Sequence, residues 1–191
     1  MARTPSIMVE LGTVAPVFRL KDVVTCQQRS IAELAGRHGL LVMFICRHCP
    51  FVQHIQAELA KIGRDYEGQD LGIVAISSND ADTYPDDTPS SLKEQAQEQG
   101  FTFPYLYDET QEVAKAYQAA CTPDFFLFDK HLALVYRGQL DDSRPGNGVP
   151  VTGRDLRRAI DALLAEKSIP TEQTPSLGCN IKWKQQSIDA K

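Results

Sequence analysis

The chain is 191 residues long, 42% apolar and 24% charged, with a formal net charge of -5. That length and composition fit one globular domain whose core needs no disulfide staples. The acidic balance leaves no basic footprint for nucleic acid, and no apolar run approaches the ~18 residues of a membrane helix, so neither is an expected partner. Met1 to Gly12 carries one arginine and no sustained apolar stretch, unlike a secretory signal. The expected setting is the cytoplasm, a reducing compartment.

Residues 1–13 read as an N-terminal arm, and 16–25 alternate well enough for a short strand ending near Cys26. Ser30 followed by Glu33 is a capping box for a short helix. Leu40 to Ile45 is an uninterrupted apolar run, as expected of a strand buried on both faces. A helix over about 50–66 follows, with Val52, Ile55, Leu59 and Ile62 at spacings of three and four. Leu71–Ser77 is a second buried strand, and 79–88 is a polar loop with four aspartates. Pro89 opens a helix over 89–99 that Gly100 stops.

Phe103 to Tyr107 is a short strand and Glu109 to Ala119 a helix. Asp124–Phe128 and Leu132–Arg137 are strands joined by a tight turn. A Gly/Pro/Asp loop fills 138–151, and Thr152 caps a last helix over 153–166. Alternation followed by a terminal hairpin predicts an α/β domain over 14–166, a mixed central sheet with helices on both faces. The tail, 167–191, is polar but holds Cys179 and the single tryptophan, Trp183, so it is expected to pack back on the domain.

The chemistry concentrates in Cys46-Arg47-His48-Cys49-Pro50, between a buried strand and a helix. Five cysteines (26, 46, 49, 121 and 179) form an odd set that cannot all pair within one chain. In a reducing compartment a close pair is catalytic or metal-binding rather than structural. Proline is favoured at the first helical position, which makes Cys49 the N-cap, where free N–H groups and the helix dipole hold a thiolate. Arg47 and His48 add positive or titratable charge beside it. Cys49 is therefore the expected nucleophile and Cys46 its first resolving candidate. Cys121-Thr122-Pro123 precedes the later hairpin, and a proline at a strand entrance is often cis.

A buried strand, a Cys-containing turn, a long helix and a later Thr-Pro leading into an apolar hairpin resemble the thioredoxin superfamily over about residues 14–166. The Phe103-Pro-Tyr-Leu-Tyr-Asp and Thr-Pro-Asp-Phe-Phe-Leu-Phe-Asp runs are similar to its peroxiredoxin-like redoxin branch, alkyl hydroperoxide reductase/thiol-specific antioxidant. The resemblance implies a thioredoxin-like three-layer fold with an N-terminal strand extension, and a cis-proline loop, Thr122-Pro123, against the reactive cysteine. It also implies that Cys121 faces the Cys46/Cys49 turn, as a third redox partner or as a small buried hydrophobe. His48 would stabilise the thiolate, or stand as an exposed loop histidine. Arg144, in the loop after the last strand, would hold a thiolate or an acidic substrate group, or staple its own loop.

Cys179 is a further resolving candidate if the tail folds back; Cys26 reads as structural. Two departures stand out. Cys46 occupies the position where peroxiredoxins carry threonine, and Val52 takes the place of the second thioredoxin cysteine if Cys49 takes the first.

The implied function is thiol–disulfide exchange on a disulfide-containing protein or a small thiol, with an external electron donor and no bound cofactor. The alternative within the superfamily is a peroxidase acting on a peroxide through a sulfenic acid. An alternative of another class is a Cu(I) or Zn(II) binding or delivery module, since Cys-x-x-Cys suits soft ions. It would need a third ligand from His38, His54 or His131.

Overall fold

The computed structural model describes residues 3–185; the ends of the expected arm and tail, 1–2 and 186–191, lie outside the described residues. In chain order the elements are β1 (Arg3–Pro5), β2 (Arg19–Asp22), β3 (Gln28–Ser30), α1 (Ile31–Leu34), β4 (Gly39–Phe44), α2 (Pro50–Asp65), β5 (Leu71–Ser77), α3 (Pro89–Gln99), β6 (Tyr105–Tyr107), α4 (Glu112–Ala116), β7 (Cys121–Thr122), β8 (Asp124–Asp129), β9 (Leu134–Gly138), α5 (Arg154–Leu164) and β10 (Leu177–Asn180). Seven strands form one mixed sheet in the order β3-β2-β6-β5-β4-β8-β9. Its centre, β4-β5-β6, is parallel, and β8 joins β4 antiparallel.

The apolar run of β4 is buried throughout because the sheet is covered on both faces. Leu41 and Met43 point to the face covered by α2, α3 and α5, and Leu40, Val42 and Phe44 to the face covered by α1 and α4. In β8, Phe125 and Leu127 take the first face and Phe126 and Phe128 the second. The α2 stripe Val52, Ile55, Leu59 and Ile62 is buried, and removing one such side chain costs ~2–5 kcal/mol. Among the described residues no helix is long and apolar enough to cross a membrane.

Several boundaries differ from the sequence reading. The expected strand over 16–25 is a hairpin, β2 and β3, turned at Cys26 with a φ of 61°. The helix expected over 109–119 shortens to α4. Thr152 does not cap the last helix: the N-cap is Gly153 at φ 66°, and its N–H, with that of Thr152, is taken by the Asp141 carboxylate at 2.7 and 2.6 Å. The Ser30–Glu33 pair behaves as a cap, with Glu33 accepting from the Ser30 N–H at 2.7 Å. Most consequentially, β10 lies between β1 and β7 in a second, three-stranded sheet.

Candidate active site

The Cys46–Cys49 turn leaves β4 at its C-terminal end, and Pro50 begins α2 with Cys49 as N-cap. A buried carboxylate ties the turn down. Asp87 Oδ1 accepts the N–H groups of Arg47 and His48 at 2.8 and 3.2 Å. Gln53 Nε2 donates to the Arg47 carbonyl at 3.0 Å. These bonds satisfy backbone groups of Arg47 and His48, while the Cys49 carbonyl accepts from the Val52 and Gln53 N–H groups of the first turn of α2.

Facing the turn is Thr122-Pro123, whose peptide bond is cis. Cys46 Sγ lies 3.3 Å from Thr122 Oγ1, and Cys49 Sγ lies 3.1 Å from the Thr122 carbonyl oxygen. Cys179, on β10, is in hydrogen-bonding contact with Cys49. Cys46 and Cys49 are both 0% exposed.

The thiols do not share charge equally. Hydrogen bonds from Cys46, Cys179, Thr122 and the Val52 N–H outweigh burial and lower the Cys49 pKa to about 5. Burial, the bond with Cys49 and the Asp87 charge push Cys46 well up. Burial and the bond with Cys49 push Cys179 up to about 12. Cys49 is thus the thiol whose ionisation its neighbours favour, with two adjacent thiols able to donate to it, while as a thiol it donates to the Thr122 carbonyl.

His48 Nδ1 and Asp87 Oδ2 form a close hydrogen-bonded ion pair. Asn79 Nδ2 donates to the same Asp87 oxygen at 2.8 Å. The Asp87 bond raises the His48 pKa against the effect of burial; for Asp87, burial acts upward but bonds from His48 and Asn79 hold the pKa below the ordinary carboxylate value. The His48 ring stacks on Tyr84 with centroids 5.3 Å apart, and its Nε2 is buried without a hydrogen-bond partner. Donor atoms of Cys46, His48 and Asp87 lie within 4.8 Å of one another, the one group among the described residues with the spacing to hold a metal ion. The expected third histidine is not among them: His54 Nε2 meets Ser143 Oγ at 2.7 Å. His38 and His131 flank the Gly39–Asp129 pairing, at the far end of β4 from Cys46.

Other expected residues land elsewhere. The Arg47 guanidinium reaches α3, donating to the Ser91 carbonyl and Glu94 at 2.8 Å each and pairing with Glu98. Arg144 staples its own loop through the Ser143 carbonyl and Gln139 Oε1, at 2.7 and 2.6 Å. Cys121 is buried, its Sγ donating to the Pro123 carbonyl at 3.5 Å, and burial drives its pKa far up. Asp87 is the participant the sequence reading missed. Of the four aspartates in the loop 79–88, Asp82 and Asp86 are exposed and Asp80 and Asp87 buried, and nothing local marks Asp87 as the one beneath the cysteine turn.

This cysteine turn at a helix start, facing a cis-proline loop across a mixed sheet, defines a thioredoxin-like redoxin. The model of the AhpC/TSA family matches residues 11–137, and the chain belongs to that family. An uncharacterized conserved protein from Geobacillus kaustophilus is 52% identical, with 98% of this chain and 99% of that one covered at a TM-score of 0.96. The thioredoxin domain of a thiol-disulfide oxidoreductase from Bacteroides vulgatus shares the fold at 18% identity and TM-score 0.63, covering 82% of this chain and 99% of that one. A peroxidoxin from Mycobacterium tuberculosis does so at 16% identity and TM-score 0.61, covering 83% and 98%. No curated protein matches the chain.

Proposed function

We propose that the chain is a thiol–disulfide oxidoreductase in which the Cys49 thiolate opens the reaction. The observation that carries this reading is Cys49 at the α2 N-terminus, its pKa lowered to about 5 by two thiol neighbours, Thr122 and the Val52 N–H. Cys49 attacks one sulfur of a substrate disulfide, forming a mixed disulfide and expelling the other sulfur as a thiolate. A second protein thiol, Cys46 or Cys179, then attacks Cys49 Sγ, frees the remaining substrate thiol and leaves the chain oxidised by two electrons. An external dithiol donor restores it. His48 and Asp87 hold the turn, and Thr122-Pro123 forms the opposite wall. Membership of a family whose structural neighbours include a thiol-disulfide oxidoreductase supports the reading.

A second reading, thiol peroxidase, is favoured by the closed state of the site, since a 0% exposed sulfur is open to a small hydroperoxide sooner than to a protein disulfide. Cys49 would then pass through a sulfenic acid before a second thiol resolves it. Two assays on the full chain separate the readings: release of thiol from an aromatic disulfide, and stopped-flow consumption of hydrogen peroxide. The proposal expects disulfide reduction that is lost in Cys49→Ser, with peroxide consumed no faster than by a free thiol. Fast peroxide turnover moves the function to the second reading, and full activity of Cys49→Ser overturns the nucleophile assignment.

A further inference from the structure

β10 pairs antiparallel with β7 in the register Cys179↔Thr122 and Asn180↔Cys121. On its other side β1 pairs as Arg3↔Cys179 and Thr4↔Gly178. The approach to the cis-proline loop is as close as a backbone allows: a Cβ on Gly178 would lie 2.0 Å from the Thr122 oxygen and 3.0 Å from the Pro123 nitrogen. Both ends of the strand are pinned. Ser176 Oγ donates to the Pro123 carbonyl at 2.7 Å, and the Ser6 N–H to the Ser176 carbonyl at 2.9 Å. The Lys182 N–H donates to Asn79 Oδ1, and its carbonyl accepts from Gln111 Nε2 and the Asp80 N–H, all at 2.8 Å. The tail strand therefore lies across the active face, with Cys179, 2% exposed, against Cys49.

Resting on the Cys49 chemistry proposed above, we propose that Cys179 is the thiol that closes the disulfide with Cys49, making β10 a strap fastened covalently over the site in the oxidised state. After Cys49 has formed a mixed disulfide with half of the substrate, Cys179 loses its proton and attacks Cys49 Sγ. The Cys49–substrate bond breaks, the substrate sulfur leaves as a thiolate, and a Cys49–Cys179 bond forms. The substrate disulfide has gained two electrons, and the protein thiols have lost them. If the oxidant is a hydroperoxide, the same attack on the Cys49 sulfenic acid releases water. The two thiols are already in hydrogen-bonding contact, so closing the bond asks only for a local approach of the sulfurs to ~2.05 Å.

Cys46 is the competing thiol. Its sulfur is engaged with Thr122 Oγ1 at 3.3 Å and with His48 Nδ1 at 3.9 Å. The field also separates the two: the Asp87 charge opposes a Cys46 thiolate, whereas the Lys182 charge favours one at Cys179. In the reduced state the strap is held by hydrogen bonds and packing alone, so a protein-sized partner gains Cys49 only then.

The test is disulfide mapping of the full chain after a slight molar excess of an aromatic disulfide or of hydrogen peroxide, with acid quenching. Trypsin separates the thiols onto peptides 38–47 (Cys46), 48–61 (Cys49), 116–130 (Cys121) and 168–182 (Cys179), because Arg47 lies between Cys46 and Cys49. The expected principal product, in the wild type and in Cys46→Ser, links 48–61 to 168–182. A principal wild-type link from 48–61 to 38–47 or to 116–130 overturns the proposal. If Cys49 reacts with oxidant and iodoacetamide but never joins Cys179, the strap fails alone. If Cys49 reacts with neither in any variant, the strap falls together with the proposed function.

Discussion

Gly178→Ala probes the closed state of the site without touching a sulfur. The new Cβ would meet the Thr122 oxygen at 2.0 Å and the Thr122 carbonyl carbon at 2.5 Å, against ordinary contact that begins at 3.4 Å. Both are backbone atoms that cannot rotate aside, so β10 must retreat from β7 by roughly an ångström. Overpacking of this kind costs ~1–3 kcal/mol, and each ladder hydrogen bond lost removes a further ~0.5–1.5 kcal/mol. A cost of ~1–3 kcal/mol borne by the docked strap alone raises the undocked population ~5–150-fold. The assay is the rate at which a bulky maleimide modifies Cys49 in the reduced protein at pH 8. That pH lies well above the native Cys49 pKa of about 5, and the variant is compared with Cys179→Ser, which removes the Cys179 bond without displacing the strand, so that the extra rate reports access. The expected result is an acceleration in that range with a small fall in thermal midpoint. Ser176→Ala, which removes only the 2.7 Å bond to the Pro123 carbonyl, should move the rate the same way by less. An unchanged Cys49 rate in a folded Gly178→Ala protein refutes the reasoning, because the strap would then not be what covers the sulfur.

Three further outcomes follow from the geometry. Alkylation of Cys49 by iodoacetamide should rise with pH up to about 5 and then level off, whereas an ordinary thiol keeps climbing to ~8.5; a midpoint near the ordinary value would remove the thiolate cradle. Asp124, fully buried with Oδ1 unpartnered, has its pKa raised to about 8 by burial. A carboxyl that keeps its proton in the fold to a higher pH than in the unfolded chain gives stability that is full below ~3.9 and lost as pH rises toward about 8, at most ~6 kcal/mol in all. Asp124→Asn should flatten that decline in denaturant titrations, and parallel pH curves for the two proteins would refute it. Protein purified under reducing conditions should carry far less than stoichiometric zinc or copper, because His48 Nδ1 and Asp87 Oδ2 are engaged with each other; metal analysis finding a full equivalent would favour the Cys46–His48–Asp87 donor set instead.

What was legible in the sequence is what local pattern controls. β4 and β5 announce themselves as uninterrupted apolar runs because a strand covered on both faces has no polar side to show. Pro50 fixes where α2 begins and so which cysteine takes the N-cap, and that rests on one residue's missing N–H. The hairpin of β2 and β3 was not legible, since a non-glycine residue at positive φ, Cys26, turns it. Nor was the buried role of Asp87, which differs from Asp86 only in what packs over it.

The electrostatics of Cys49 lie at the limit of such reading. Of its donors, Cys46 and the Val52 N–H belong to the local turn, but Thr122 and Cys179 come from segments far along the chain. Cys179 is brought there by a strand that pairs on one side with residues 3–5 and on the other with 121–122. No window of sequence contains those three segments together. The motif marks the sulfur proposed to react; Cys179 and Trp183 mark the tail as packing back, but nothing local places it as a strand between residues 3–5 and 121–122 beside that sulfur.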